Sequence, residues 1–177
     1  MLKFYKDSAN ICTLIGLISG FISIILSSRG LPFFALSAMM FGVLCDVFDG
    51  WIARKSVNRL GGADRFGAEL DSLADIIHSV TAPAIWIIFF FPENYFILFF
   101  ALLMVIAGST RLAYFSISSL PKEKGFVGLP VPYSPIILSF VVLFAIQSKG
   151  ASAIAISAYM LAVSVLHISS SVIFAVF

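Results

Sequence analysis

Apolar runs near the length of a bilayer-crossing helix follow one another along the whole 177-residue chain, joined by short polar stretches. A hydrocarbon core takes about 20 apolar residues per spanning helix. The chain has room for six such spans and none for a separate soluble domain. Hydrophobic residues make up 60% and charged residues 11%, and the mean hydropathy is +1.07. That balance suits a polytopic membrane protein whose helices pack against each other and against lipid. The expected fold is an all-α membrane protein: one domain over residues 1–177, with six transmembrane helices behind a short amphipathic N-terminal segment.

Residues 1–8 are suited to the membrane surface. Span one is read from Ala9 to Ser27, and Ser28-Arg29-Gly30 with Pro32 turns the chain. Span two runs from Phe33 to Arg54, a polar loop with Gly61-Gly62 from Lys55 to Arg65, and span three from Phe66 to Phe91, with Pro83 as a kink site. Span four covers Tyr95 to Ser116. Gly128-Leu129-Pro130-Val131-Pro132 cannot continue as ordinary helix; span five follows from Tyr133 to Gln147, and span six from Ala151 to the C-terminus. Lys3 and Lys6 precede an apolar run, as in a signal peptide, but Ile11–Leu26 is long for one and more spans follow. Ser19, Gly20, Ser157 and Ser164 are candidate helix-packing positions.

With the N-terminus inside, nine Lys and Arg lie on the cytoplasmic side and only Arg29 and Lys149 on the other. This bias places both termini, and the facing ends of spans two and three, in the cytoplasm of a cell-membrane protein. A net charge of +2 gives nucleic acid no electrostatic footprint. Cys12 and Cys45 fall inside apolar segments and read as small buried hydrophobes.

Four aspartates stand out against this background. Ionisable groups at membrane depth are costly and mark functional sites. Asp46 and Asp49 share a helical face with Gly50 and Ala53 on span two, and Gly67, Asp71 and Asp75 share one on span three. The two spans are antiparallel neighbours, so the acids can face each other and offer hard oxygen ligands suited to Mg²⁺ or Mn²⁺. Gly50, Ala53 and Gly67 leave the helix surfaces clear, and Arg54 is placed to meet a phosphate. Metal, arginine and a clear surface make a site for a diphosphate, and the chemistry implied is phosphoryl transfer. A structural role for the acids, paired with arginines at the membrane edge, fits one aspartate better than four at this spacing.

Asp46-x2-Asp49-Gly50-x2-Ala53-Arg54 followed by Gly67-x3-Asp71-x3-Asp75 resembles the signature of the CDP-alcohol phosphatidyltransferases. The resemblance implies six spans, a homodimer and a metal site open to the cytoplasm. It further implies Asp46, Asp49, Asp71 and Asp75 as metal ligands, with Asp75 also taking the proton from the attacking hydroxyl. Gly50, Ala53, Arg54 and Gly67 would hold the CDP moiety, and Asn10 and Thr13, which resemble the opening of the family's first span, would touch the nucleotide. One departure is the twelve residues from Lys55 to Phe66, more than the family's usual spacing, with the surplus in the Gly61-Gly62 loop.

The downstream half resembles bacterial and archaeal phosphatidylserine synthases, through Arg111-Leu112-Ala113-Tyr114-Phe115 and Gly125-Phe126-Val127-Gly128-Leu129-Pro130-Val131-Pro132. His78 to Pro83 departs from the Ser-Phe-Gly-x-Ala-Pro usual there. The implied reaction transfers a phosphatidyl group from CDP-diacylglycerol to L-serine and releases CMP. Arg111, Lys122 and Lys124 are candidates for the acceptor, Arg111 through the serine carboxylate. Acceptors such as glycerol 3-phosphate or an inositol phosphate, and an archaeal ether-lipid donor, remain open within the family. A membrane cation transporter would spread acids through the bilayer depth, whereas these four lie at one end. A structural scaffold is the remaining rival. His78 follows Asp75 by about a helical turn and reads as a satisfied interior histidine or a partner to that acid, while His167 has no partner visible in the sequence.

Overall fold

A computed structural model describes residues 2–56, 61–91, 95–117, 126–147, 152–169 and 173–174. A 3-10 turn at Leu2–Lys6 precedes helices α1 (Ser8–Ser28), α2 (Pro32–Lys55), α3 (Ala63–Asp75), α4 (Ala82–Phe90), α5 (Tyr95–Ile117), α6 (Tyr133–Gln147) and α7 (Ser152–Ile168). A six-residue π-helical turn, Ile76–Thr81, joins α3 to α4, so that Ala63–Phe90 forms one rod. Among the described residues four helices are long and apolar enough to cross a membrane: Ser8–Ser28, Pro32–Lys55, Ala63–Phe90 and Tyr95–Ile117. The two helices expected as spans five and six are shorter. The last of them ends at Ile168 rather than running to the C-terminus, and Ile173–Phe174 pairs antiparallel with Phe126–Val127.

Helix α1 shows why this is a membrane bundle. Its buried residues are Ala9, Asn10, Thr13, Gly16, Ser19, Gly20, Ser23 and Ser27, all small or polar. Several of its bulky apolar residues face outward, Ile18 being 54% and Phe21 57% exposed, while Ile24 and Leu26 pack on the core. Lipid tails are as apolar as the side chains, so helices associate through close backbone approach and hydrogen bonds instead. Both occur along the α1–α2 seam. The Ser19 hydroxyl donates to the Ala38 carbonyl at 2.6 Å and the Ser23 hydroxyl to that of Ala35 at 2.8 Å. Asp7 caps α1, accepting from the amides of Ala9 and Asn10.

A break in the ordinary helix here has a local cause. Pro83 lacks an amide proton, and its ring crowds the carbonyl four residues back, so an ordinary helical turn cannot pass through it. The kink expected at Pro83 takes the form of a widened turn just ahead of it. This turn is clasped by glycines. Cβ atoms built on Gly20 of α1 and Gly42 of α2 would lie 2.5 Å and 3.0 Å from His78 Cβ, and one on Gly108 of α5 would lie 2.8 Å from Val80. The main apolar core lies beyond the turn, where Met39, Trp86, Ile87, Met104, Leu138 and Met160 meet. There the Trp86 indole donates to the Pro32 carbonyl at 3.0 Å.

At the end of the chain, α7 holds the segment that opens α6. The Leu129 amide donates to the Leu166 carbonyl, and His167 Nδ1 donates to the Leu129 carbonyl at 2.9 Å. Ser134 Oγ lies 3.0 Å from His167 Nε2, and the Tyr159 hydroxyl donates to the Ser134 carbonyl. Gly20→Ala is expected to cost about 1–3 kcal/mol through overpacking against the His78 backbone. It should lower the thermal unfolding midpoint in detergent. Gly50→Ala, whose Cβ would meet only Arg54 Nη1 at 3.5 Å, should leave that midpoint unchanged.

Candidate active site

The acids converge because two helical faces turn toward each other. Asp46 and Asp49 project from the last turns of α2, Asp71 and Asp75 from the last two turns of α3. One carboxylate oxygen each from Asp46, Asp49 and Asp71 lie within 4.8 Å of one another. The carboxyl groups of Asp46 and Asp71 are in hydrogen-bonding contact across the helix pair. Asp75, one turn further along α3, stands outside this trio and is 6% exposed.

Three carboxylates this close repel each other by roughly 3–4 kcal/mol per pair at an effective dielectric near 20. A proton shared between Asp46 and Asp71, or a bound cation, relieves this repulsion, and three hard oxygen donors fit a divalent cation such as Mg²⁺ or Mn²⁺. Asp49 is held in place by Thr13 of α1, whose hydroxyl donates to its Oδ2 and also lies 3.1 Å from the Ala9 carbonyl. Thr13, expected at the nucleotide, thus reaches an acid of the cluster. Asn10 Nδ2 donates to the Phe4 carbonyl at 2.9 Å, tying the N-terminal turn to α1. Phe4 in turn stacks on Phe66 of α3 with ring centroids 4.9 Å apart.

The small residues expected to leave a clear surface beside the acids lie on α2 and α3. Gly50 and Ala53 are half-buried, and the exposed Arg54 folds back along the helix toward Gly50. Gly67 lies one turn into α3 and is also half-buried. Arg111, from the cytoplasmic-side half of α5 as read from the sequence, is only 8% exposed. It is the cation whose charge bears on Asp75. Among the described residues two buried polar side-chain atoms lack a hydrogen-bond partner: Asp75 Oδ1 and Arg111 Nε. Both belong to this one place. Lys122 and Lys124 lie outside the described residues.

Two neighbours of the site were hidden from sequence reasoning. Ser79 lies at the Asp75 carboxylate and 2.8 Å from His78 Nδ1, brought there by the π turn. The bonds of His167 reach residues 33 and 38 positions away, so no local pattern announces them. Thr13→Val removes this donor to the buried Asp49 carboxylate. Outer partners of metal-binding groups typically contribute about 10- to 100-fold in affinity. The Mn²⁺ concentration giving half-maximal thermal stabilisation should rise by that order in a detergent melting titration.

A family model described as CDP-alcohol phosphatidyltransferase matches residues 7–174. The chain is 37% identical over 155 residues to the archaetidylserine synthase of Methanothermobacter thermautotrophicus, covering 86% of this chain and 63% of that protein. It is 34% identical over 126 residues to the CDP-diacylglycerol–serine O-phosphatidyltransferase of Methanocaldococcus jannaschii, covering 71% and 55%. The Bacillus subtilis protein of the same name is 33% identical over 132 residues, covering 68% and 72%. The chain thus spans somewhat over half the length of the first two relatives. A match across nearly the whole chain, on helices that bring the signature acids together, makes this protein a member of the CDP-alcohol phosphatidyltransferase family.

Proposed function

We propose that the protein transfers a phosphatidyl group from CDP-diacylglycerol to L-serine, forming phosphatidylserine and CMP. The observation that carries this reading is a carboxylate trio one helical turn from Asp75, on which the charge of the buried Arg111, its Nε without a partner, bears. A phosphoryl-transfer site needs a place for the diphosphate and a separate anchor for the acceptor, and these two features are that pair. The names of the relatives, which include serine transferases from several organisms, support serine as the acceptor.

Asp46, Asp49 and Asp71, with Asp75 as the fourth expected ligand, would hold a divalent cation that neutralises charge on the diphosphate during transfer. Arg54 binds a diphosphate oxygen, and Gly50, Ala53 and Gly67 let the cytidine lie close to the helix backbones. Arg111 receives the serine carboxylate and so turns the hydroxyl toward the phosphorus that carries diacylglycerol. Asp75 takes the hydroxyl proton as the serine oxygen bonds to that phosphorus. The bond from phosphorus to the oxygen of CMP breaks, and CMP leaves. The lipid donor enters from the bilayer while serine comes from the cytoplasm, in keeping with the charge bias of the loops. We take α6 and α7 as completing six spans, and a homodimer in the cell membrane as the working assembly. An ether-linked archaeal donor is the second reading, favoured by the archaetidylserine synthase among the relatives.

The test is CMP release by purified protein given CDP-diacylglycerol, Mn²⁺ or Mg²⁺, and a panel of alcohols. Release with serine is expected. Release only with glycerol 3-phosphate or an inositol phosphate would replace the acceptor. Asp75→Asn should lower kcat by at least about 100-fold, the usual scale for a lost general base. Arg111→Gln should raise the KM for serine by about 10- to 100-fold, as expected for a lost charged hydrogen bond, with the KM for the lipid donor unchanged.

A further inference from the structure

The π turn places one side chain whose role the transfer reaction does not yet explain. His78 is 1% exposed and lies in a cradle of glycines from two other helices. Cβ atoms on Gly20 and Gly42 would come within 2.5 Å and 3.0 Å of its Cβ, and one on Gly16 within 3.9 Å of its Cδ2. Such an arrangement holds the imidazole in one place. Both ring nitrogens then point at polar groups of its own rod: Nδ1 lies 2.8 Å from Ser79 Oγ, and Nε2 lies 3.7 Å from Asp75 Oδ1. That Oδ1 is the carboxylate atom without a hydrogen-bond partner. Widened π turns recur at functional sites, where they re-aim side chains, and this one begins at the residue after Asp75.

We infer that His78 is a positioning residue: carrying its proton on Nε2, it holds Asp75 Oδ1 and so fixes the carboxyl group that meets the acceptor hydroxyl. The role in transfer rests on the reading of Asp75 as the proton acceptor; the contact itself does not. A ring with one proton can place it on only one nitrogen. Ser79 Oγ meets both Nδ1 and the Asp75 carboxylate; its one proton goes to Nδ1 when the ring is protonated at Nε2, and to the carboxylate, which only accepts, when the ring is protonated at Nδ1. With the proton on Nδ1, two lone pairs would face each other between Nε2 and Oδ1. With it on Nε2, the contact is attractive, and a small rotation closes 3.7 Å to a charge-assisted hydrogen bond. Hydrogen bonds of catalytic groups are often long before substrate arrives.

The chain has two histidines, so their tautomers can be read directly. His167 Nδ1 faces a backbone carbonyl and must carry its proton there. In the full-length protein labelled with ¹⁵N-histidine, the expected spectrum has one ring protonated at Nδ1 and one at Nε2. His167→Gln should remove the Nδ1 set and so assign the other to His78. A spectrum with His78 protonated at Nδ1 overturns the inference. Kinetics provide the second readout, with whichever alcohol the wild type uses. His78→Leu should lower kcat by about 10- to 100-fold, the usual scale for a lost outer partner, with both KM values kept. His78→Gln, which keeps a donor near the Nε2 position, should restore most of that loss. Wild-type kcat in the Leu variant, or no rescue by Gln, makes His78 a packing residue only. If the Leu variant does not fold, the wild-type tautomer decides. A wild type that releases CMP with no alcohol refutes the transferase reading, and the tautomer still decides whether His78 holds Asp75.

Discussion

Mutual repulsion among carboxylates is the constraint around which this molecule is arranged. Asp46, Asp49 and Asp71 are brought to within 4.8 Å by two helices that would otherwise be pushed apart at that end. Burial of Asp49 and Asp75 leaves little water to screen them. The bundle therefore has to hold the acids in place by other means and to offer them a positive partner. Thr13 on Asp49, the Asp46–Asp71 contact and Arg111 near Asp75 are the means the described residues supply. On the proposed reading, a divalent cation and the diphosphate it binds would complete the balance of charge.

Holding the acids requires helices that approach closely without large side chains between them. The chain meets this by reversing the usual arrangement of a soluble protein. Glycine, alanine and serine fill the α1–α2 seam, while isoleucine and phenylalanine face outward. The close seam has a second effect at the π turn, where the same glycines that let α1 approach α2 also receive His78. Packing and site geometry are thus one construction. A larger residue at Gly20 would displace the rod that carries both Asp71 and Asp75.

Much of this was legible from residue types and spacing. Positions 46, 49, 71 and 75 fall on helical faces by simple arithmetic, and apolar runs of the right length announce helices. What could not be read were the joints. Pro83 signalled a kink, yet nothing local says that the kink takes the form of a π turn ahead of it, because that depends on how closely α1, α2 and α5 approach. Thr13 was legible as a polar residue at the start of the first span, but its partner lies 36 positions away. The return of the chain at Ile173–Phe174 was likewise invisible, since two-residue pairing leaves no periodic trace.

Gly128 ties two distant parts of the chain together. Its φ of +74° suits a residue with no Cβ, and a Cβ there would lie 2.7 Å from the His167 carbonyl oxygen. With the Leu129 amide bonded to the Leu166 carbonyl and His167 Nδ1 bonded back to the Leu129 carbonyl, neither segment can loosen alone. The turn into α6 and the last turn of α7 therefore behave as one cooperative opening unit, and solvent reaches the Leu129 amide only when the end of α7 lets go.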